Sequence, residues 1–414
     1  MSDCQYDNER IKAFAGIGIL RNPVQEYAWG SYSAIQDLLG KTRSEDKPMA
    51  ELWMGVHPKA PSELLIEGKW EPLNEVIERC PESILGKNAA GKFSNNLPFL
   101  FKVLAAARPL SIQVHPNLRQ AREGFDRENS LEIPIDAPNR NYRDNNHKPE
   151  IICALIPFIA LKGFRKVEEI LDLMDKLSPS SFSDDLSAFK MSPDPQGLRR
   201  FFTSLMTMRP DKQKGVVTEA VNLAKKRSSE DRAFYWMIEL DRVYPGDIGV
   251  LSPLYLNLIE LEPGEALYLP AGELHAYLEG IGVELMANSD NVLRGGLTPK
   301  YVDVPQLLEV VNFEMADVKK IEPAKVGSCE RIYPSPAEEF SLSVISVCQG
   351  KSFISAKDRN AEIMICTEGR GTIEDLSIGD HLSLIKGNSV IVSAAVDQYV
   401  IAGEGTFYKA SVPL

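Results

Sequence analysis

Apolar and polar residues alternate along much of this chain, which is the pattern of half-buried β-strands. In residues 265–278 a short alternating run (EALYL) is followed by Pro270 and Gly272, and then by His275. Proline and glycine at this spacing predict a sharp turn. The turn would place His275 at the start of a new strand, with Tyr277 on the same face because side chains on a strand alternate.

The pattern changes to helical spacing from residue 166 to about residue 239. Serine- and proline-rich segments separate the apolar stripes, as expected between helices. We therefore predict a helical insert over residues 161–245, which interrupts a β domain made of residues 1–160 and 246–320. Turn signals every 8–12 residues predict a second β domain over residues 321–414. The predicted fold class is mainly β with an α insert.

The C-terminal region contains a weak internal repeat. Residues 386–395 (KGNSVIVSAA) follow the rhythm of the earlier turn, but Ser393 takes the place of the proline, Ala395 of the glycine and Gln398 of the histidine. The repeat predicts a second β domain with the fold pattern of the first but without a counterpart of His275. The only histidine in this region, His381, is predicted to lie on the surface or in a loop.

Length and charge limit the possible functions. A chain of 414 residues is expected to form two or three domains. Its net charge of −12 argues against a nucleic-acid partner and against an anionic membrane surface. Any phosphate group would therefore need a locally positive site. The longest apolar run, residues 151–161, contains Pro157 and is too short to span a membrane.

Cysteine usage indicates the compartment. The chain has six scattered cysteines without a C-x-x-C pair, namely Cys4, Cys80, Cys153, Cys329, Cys348 and Cys366. This pattern favours reduced thiols in a cytoplasmic protein. Residues 2–12 are polar and charged, so they lack the apolar core of a secretory signal. We expect a monomer in the cytoplasm that acts on a small molecule.

Four side chains on strand-like segments are candidate metal ligands. Gln113 and His115 share one face of the alternating segment SIQVHPN, while Glu150 and His275 begin later strands. Two imidazoles, one carboxylate and one amide oxygen suit a borderline divalent ion, with zinc the first choice. Sequence spacing alone leaves open whether the three segments converge.

Two of these three segments also have a simpler interpretation. SIQVHPN can be an edge strand whose polar face lies in solvent. Glu150 can be a solvated strand end, which would suit its neighbours His147 and Lys148. Both alternatives predict exposed side chains.

At this point the chain resembles the type I phosphomannose isomerases along nearly its whole length. The final hundred residues match less distinctively, and the turn before His275 also resembles the second metal-binding motif of the cupins, with Glu279 where an asparagine is usual. The resemblance rests on five segments: YAWGS from Tyr27, MAELWMGVHPKAPS from Met49, LPFLFKVLAAARPLSIQVHPN from Leu97, NYRDNNHKPEIICAL from Asn141, and YLPAGELHAYLEGIGVELMANSDNVLRGGLTPK from Tyr268.

This resemblance implies cupin jelly-roll barrels: a metal-binding central barrel, a degenerate C-terminal barrel and a helical domain. It implies an enzyme with one Zn²⁺ per chain that interconverts mannose 6-phosphate and fructose 6-phosphate. The family's metal ligands fall on the four candidates already identified. The family's functional arginine falls on Arg294.

The implied reaction needs groups that move protons. An aldose–ketose isomerase removes a proton from C2 and returns one at C1, through a cis-enediol intermediate. Glu284 is our first candidate base, because burial can raise the pKa of a carboxyl group. The alternative for Glu284 is an ion pair with Arg294 or Lys148. Lys148 is the second candidate base, whereas Arg294 stays charged and is predicted to bind phosphate or enediolate oxygens.

Further residues are predicted to contact the substrate. Ser111 and Lys300 are candidate phosphate contacts, Tyr277 is expected to line the pocket, and Asp290 belongs to the same matching segment.

Two rival functions remain open on sequence grounds. Two histidines and a carboxylate also describe a non-haem iron oxygenase, and a cupin that binds sugar phosphates without turnover would keep Arg294.

Overall fold

The computed structural model of the chain describes residues 16–43, 47–177, 179–315 and 317–414. Cys4 and residues 2–12, on which two of the predictions above depend, lie outside the described residues. The other five cysteines are free thiols, as predicted. Within the described ranges no helix combines the length and the apolar composition needed to cross a membrane.

Antiparallel strands dominate the structure. In chain order they are β1 Ile17–Arg21, β2 Val24–Gln25, β3 Glu51–Gly55, β4 Glu63–Ile66, β5 Lys69–Pro72, β6 Phe99–Ala106, β7 Ile112–Val114, β8 Glu150–Ala154, β9 Phe158–Phe164, β10 Leu256–Leu261, β11 Ala266–Leu269, β12 His275–Ala287, β13 Leu293–Gly296, β14 Ala324–Lys325, β15 Glu330–Tyr333, β16 Ser341–Val347, β17 Phe353–Ile354, β18 Glu362–Asp375, β19 His381–Ile385, β20 Ser389–Val392 and β21 Tyr399–Ser411.

The long strand β12 organises the first sheet. This ten-stranded sheet follows the order β10-β9-β12-β6-β3-β2, and β7 and β8 also pair with β12. Along its length β12 therefore contacts four strands that are distant in sequence. The arrangement agrees with the predicted jelly-roll of the central domain.

The second sheet has eleven strands and holds the C-terminal region. Its order is β14-β15-β16-β21-β18-β20-β1-β4-β5, with β17 on β21 and β19 on β18. Three strands from the start of the chain thus complete the C-terminal sheet: Ile19 in β1 pairs with Val390 in β20, and Leu20 pairs with Leu64 in β4. Strand pairing here does not follow chain order, so sheet membership does not test where the domains begin and end. The predicted domain boundaries stay a prediction.

Helices fill the connections and one large insert. In the β region they are α1 Ala34–Leu38, α2 Leu73–Arg79, α3 Pro81–Leu85, α4 Lys87–Lys92, α5 Leu118–Ser130 and, near the end, α12 Val304–Val310. Between β9 and β10 lie α6 Val167–Leu177, a 3-10 turn Ser180–Phe182, α7 Ser183–Met191, α8 Pro195–Met206, α9 Pro210–Lys226, α10 Arg232–Val243, a 3-10 turn Ile248–Leu251 and α11 Ser252–Tyr255.

The helical insert packs its own apolar stripes together, as its spacing predicted. Ile170, Met174, Leu198 and Phe202 are fully buried in one cluster, which also takes in Leu161 from β9. Burial of such side chains stabilises each by about 1.5–3 kcal/mol relative to exposure. The insert is therefore packed against strand β9 of the first sheet.

Candidate metal centre and its surroundings

Three buried side chains converge at one end of β12. His115 follows the end of β7, Glu150 is the first residue of β8, and His275 is the first residue of β12. One ligand atom from each lies within 4.8 Å of the others. Counted over the whole residue, each of the three is between 1% and 4% exposed to solvent. The three segments therefore converge, a point that sequence spacing alone left open.

Both imidazoles are turned toward Glu150 by backbone carbonyls. The Nδ1 atom of His115 lies 2.7 Å from the carbonyl oxygen of Asn291, and Nδ1 of His275 lies 3.0 Å from that of Glu273. In each ring Nδ1–H donates, so Nε2 carries the free lone pair. Each Nε2 atom lies 3.5 Å from one oxygen of Glu150.

This donor set fits a divalent cation. The Nε2 atom of His115 is buried and has no hydrogen-bond partner among the described residues. A buried polar atom without a partner is costly unless something else satisfies it. Two imidazole nitrogens and a carboxylate oxygen, all aimed at one point, are ligands that zinc accepts. The cost is removed when such an ion occupies that point.

The local charges keep these residues in their ligand forms. Burial lowers the pKa of His115 to about 4, against a smaller opposing effect of Glu150. Burial opposes ionisation of Glu150, but the charge of Lys148, with interactions from the His115 and His275 side chains, holds its pKa well below the usual carboxyl range. Neutral imidazole and ionised carboxylate are the forms that bind a metal.

Gln113 lies beside the three residues through strand pairing. It is directly opposite His275 on one side and opposite Arg294 on the other. Its side-chain Nε2 donates to Ser111 Oγ at 3.4 Å, which leaves the amide oxygen available. Because β7 lies between β12 and β13, the interpretation of SIQVHPN as an edge strand is wrong.

The predicted turn before His275 ties two ligand segments together. Gly272 has φ +85°, a conformation that favours glycine. Its amide donates to the carbonyl oxygen of His115 at 2.9 Å. The turn therefore fixes the distance between the two ligand histidines.

Lys148 faces the metal centre and not the solvent. Its Nζ atom lies 3.2 Å from Glu150 Oε1, and its side chain is 14% exposed. The interpretation of Glu150 as a solvated strand end is therefore wrong, since its side chain is 5% exposed. Lys148 neutralises part of the carboxylate charge at the site.

A second chain of buried charges runs along neighbouring strands. Lys102 in β6 donates to Glu284 Oε2 in β12 at 2.9 Å, and its Nζ atom lies 3.5 Å from Glu51 Oε1 in β3. Trp53 donates its indole N–H to Glu51 Oε2 at 2.7 Å. The ion partner of Glu284 is therefore Lys102, and the predicted alternatives Arg294 and Lys148 are wrong.

Sequence reasoning missed Lys102 as a site residue. The available signal was a single lysine within the apolar run LPFLFKVLAA, in a strand whose eight residues are all buried. A lysine is almost never fully buried unless it is paired. Its partners come from β3 and β12, which only the sheet order brings next to β6.

Burial raises the pKa of Glu284, as predicted, with Glu150 and Glu51 adding to the rise and Lys102 opposing it. Burial also works against the charge on Lys102, but Glu284, Glu51 and Glu150 outweigh it, so its pKa is raised.

Tyr277 lies nearby with a buried hydroxyl that lacks a partner among the described residues. Its ring centroid is 6.2 Å from that of His275, which agrees with the predicted shared face.

Three basic residues, Arg294, Arg143 and Lys300, influence one another's charges near strand β13. Burial lowers the pKa of Arg294, and the charge of Arg143 adds to the shift. Burial together with Arg294 and Arg143 lowers the pKa of Lys300. Within the described ranges no ion pair is formed by these three residues. Sequence reasoning had identified Arg294, Lys300 and the half-buried Ser111 but had missed Arg143.

Asp290 is already engaged by two basic side chains. Its carboxylate oxygens lie 3.3 Å from His57 Nε2 and 2.7 Å from Lys59 Nζ. Burial opposes ionisation, yet these partners hold the pKa of Asp290 well below its usual range. Its backbone amide donates to Asp144 at 2.7 Å. Asp290 thus anchors the loop that leads to Arg294.

The comparisons with known proteins agree with this geometry. Residues 18–167 match the model of the catalytic domain of type I phosphomannose isomerase, and residues 330–412 match the cupin domain of mannose-6-phosphate isomerase. The mannose-6-phosphate isomerase of Escherichia coli K12 is 40% identical over 391 residues, which cover 93% of this chain and 97% of that protein. The Homo sapiens enzyme is 38% identical over 346 residues, which cover 77% of this chain and 79% of that protein.

Solved structures give the same result. A zinc-bound mannose 6-phosphate isomerase is similar with a TM-score of 0.89 and 37% identity, over 96% of this chain and all of that chain. Another structure, with zinc and yttrium bound, gives a TM-score of 0.88. With 40% identity across almost the whole length of both chains, this chain belongs to the type I phosphomannose isomerase family.

Proposed function

We propose that this chain interconverts D-mannose 6-phosphate and D-fructose 6-phosphate with one zinc ion held by Gln113, His115, Glu150 and His275. The observation that carries the proposal is one cross-strand row, in which Arg294, Gln113 and His275 lie directly opposite one another on β13, β7 and β12. In this proposal Gln113 and His275 hold the metal, and their neighbour Arg294 binds the phosphate group. A phosphosugar needs both at once.

Bound zinc would supply Lewis acidity and a fixed position for the reacting sugar oxygens. The surrounding residues supply the rest. Lys148, 3.2 Å from Glu150, adds positive charge where the sugar oxygens gain negative charge. Buried, preorganised charges of this kind are worth more than in water.

We assign the carbon proton transfer to Glu284. The carboxylate accepts the proton from C2 of the open-chain aldose and returns it to C1, while the hydroxyl proton of O2 moves to O1. The double bond thus passes from C1–O1 to C2–O2 through a cis-enediol, and no oxidant is consumed. A raised pKa suits a carboxyl group that must both accept and donate a proton. Lys102 holds this carboxyl group in place.

Arg294, Lys300, Arg143 and Ser111 are assigned to the phosphate group. The three cations repel one another in the free protein, and a dianionic phosphate removes that repulsion. Arginine is suited to bidentate contacts with phosphate oxygens. This local positive charge offsets the net charge of −12 that otherwise repels anionic substrates.

The test is a coupled assay of fructose 6-phosphate formed from mannose 6-phosphate. It is run on the purified protein, after chelation, and after zinc is restored. Turnover that disappears on chelation and returns with zinc supports the proposal. A folded, zinc-loaded protein that binds mannose 6-phosphate without turnover would favour a binding role, and oxygen uptake with ferrous iron would favour an oxygenase.

A second measurement tests the assignment of the base. In deuterium oxide, wild-type protein is expected to exchange the C2 proton of mannose 6-phosphate, and Glu284→Gln is expected to lose this exchange. If Lys148→Met loses exchange and Glu284→Gln retains it, Lys148 takes the role of base.

We also infer a cytoplasmic monomer. Five free thiols, three of them buried, support a reducing compartment. Light scattering during size-exclusion chromatography tests the oligomeric state, and a mass of twice 46.0 kDa would contradict the monomer.

A further inference from the structure

The segment that carries Glu150 is in contact with the C-terminal sheet on both sides of this residue. Three residues before Glu150, His147 Nε2 lies 2.5 Å from Glu339 Oε1, in the loop between β15 and β16. Three residues after it, the thiol of Cys153 lies 3.1 Å from the hydroxyl of Tyr333 in β15. Each contact joins residues that are 180 or more positions apart in the chain.

The contact after Glu150 is part of a shared apolar core. Tyr333, Phe340 and Leu342 pack in one buried cluster with Ile151 and Cys153 of β8. The Tyr333 hydroxyl also donates to the carbonyl oxygen of Gly264 at 3.0 Å. The strand that follows Glu150 is therefore held by both packing and a hydrogen bond.

The contact before Glu150 is a single polar pair. The side chain of Glu339 is 13% exposed and that of His147 is 28% exposed, so the pair is partly shielded from water. His147 precedes Lys148, whose Nζ atom contacts Glu150. A shift of His147 would therefore move both Lys148 and Glu150.

The opposite side of this loop is fixed within the central domain. Asn291 donates from Nδ2 to the carbonyl oxygens of Asp144 and Asn146 at 2.8 Å each. The carbonyl of Asn291 in turn holds His115 at 2.7 Å. Asn291, which orients the candidate ligand His115, thus holds one side of the loop 143–147 by hydrogen bonds. Glu339 contacts the other side of this loop through His147.

We propose that Glu339 of the C-terminal domain is a positioning residue for the metal centre, acting through His147 on Lys148 and Glu150. This gives the degenerate domain a role in the site although it has no ligand of its own. The inference rests on the proposed function for the metal, but its main readout does not require turnover. Outer contacts of metal ligands commonly contribute ten- to hundredfold to metal affinity.

The chain offers a matched control at the adjacent position. Glu338 is also an ion-paired carboxylate, 3.0 Å from Lys92, but its side chain is 73% exposed. Glu339→Gln and Glu338→Gln therefore remove the same charge one residue apart. Only the first touches the segment of Glu150.

The experiment measures zinc affinity by competition with a chromophoric chelator, on the full chain. We expect Glu339→Gln to bind zinc about tenfold more weakly and Glu338→Gln to bind it like wild type. His147→Gln and the double variant His147→Gln/Glu339→Gln should show the same loss as Glu339→Gln, because one interaction is removed in all three. In the coupled assay, kcat should fall more than KM rises, since the phosphate contacts are untouched.

Two outcomes would overturn the proposal. Unchanged zinc affinity in Glu339→Gln together with a lower free energy of unfolding would show a purely structural contact. Additive losses in the double variant would show that Glu339 and His147 act independently. If no variant, including wild type, isomerises mannose 6-phosphate, the proposed function fails while the zinc titration still decides the role of Glu339.

Discussion

Lys102 Nζ lies 2.9 Å from Glu284 Oε2, and both side chains are less than 10% exposed. This pair joins β6 to the C-terminal half of β12, where the two residues are direct partners in the sheet. Two further carboxylates, Glu51 and Glu150, favour the charge on Lys102. One buried lysine is therefore kept charged by three carboxylates, which include the candidate base Glu284 and the candidate metal ligand Glu150.

The first prediction concerns stability after removal of this lysine. Lys102→Met leaves Glu284 and Glu51 buried with no cation beside them, which is expected to cost about 3–5 kcal/mol of unfolding free energy. Urea denaturation of the zinc-loaded protein measures it. Adding Glu284→Gln should restore part of the loss without restoring turnover. A loss below about 1 kcal/mol in Lys102→Met would show that water reaches the pair and screens it.

The second prediction concerns the pH dependence of turnover. Glu284 must be ionised to accept a proton, and its pKa is raised above the ordinary value of 4.5. As the pH falls, kcat/KM should therefore drop at a pH above 4.5. Because Lys102 favours the ionised form, Lys102→Met should move this acid limb to still higher pH. An acid limb that stays in place in Lys102→Met would exclude Glu284 as the titrating group.

The third prediction concerns metal removal. A ligand that binds only the folded state stabilises it, so free zinc at a thousand times its dissociation constant should raise the free energy of unfolding by about 4 kcal/mol. His115→Gln should lose this stabilisation, while His381→Gln, which changes an exposed histidine of the C-terminal domain, should keep it. Thermal unfolding with and without chelator provides the comparison. An equal response of both variants to zinc would contradict the assigned ligand set.

These cases also show which parts of the site can be predicted from sequence. The turn that delivers His275 was predictable, because Pro270 and Gly272 act locally and Gly272 does adopt a positive φ. Strand alternation likewise placed Gln113 and His115 on one face. Both signals depend on residues close together in the chain.

Other parts depend on long-range pairing and could not be read locally. The role of Lys102 follows from the position of β6 between β3 and β12. The placement of β1 in the C-terminal sheet likewise follows from its pairing with β20, in which Ile17 lies opposite Val392. Arg143 stands in a charged loop and gains significance only beside Arg294 and Lys300.

The fourth prediction concerns the cationic cluster. Arg294→Met is expected to raise KM for mannose 6-phosphate about ten- to hundredfold, since hydrogen bonds to charged groups contribute about 1.5–3 kcal/mol. Arg143→Met and Lys300→Met should raise it as well. Arg119→Met, which removes a 74% exposed surface cation, is the matched control. Unchanged inhibition by inorganic phosphate in all three cluster variants would contradict a phosphate site there.

The fifth prediction concerns the turn between the ligand histidines. Gly272 has φ +85°, and an added Cβ would lie 3.2 Å from the carbonyl oxygen of Val310. Gly272→Ala should therefore lower the unfolding free energy by about 1–3 kcal/mol. It should also weaken zinc binding, because the amide of this residue holds the carbonyl of His115 at 2.9 Å.

Gly215→Ala is the matched control for this change. Gly215 lies on the exposed side of helix α9, where an added Cβ meets nothing within 4 Å. There alanine should stabilise the helix by up to about 1 kcal/mol, because it has the higher helix propensity. Chemical denaturation and chelator competition on both variants separate the two effects. If Gly272→Ala were as stable as wild type and bound zinc equally well, the turn would be able to relax without moving His115 or His275. The link between the glycine conformation and the metal centre would then be disproved.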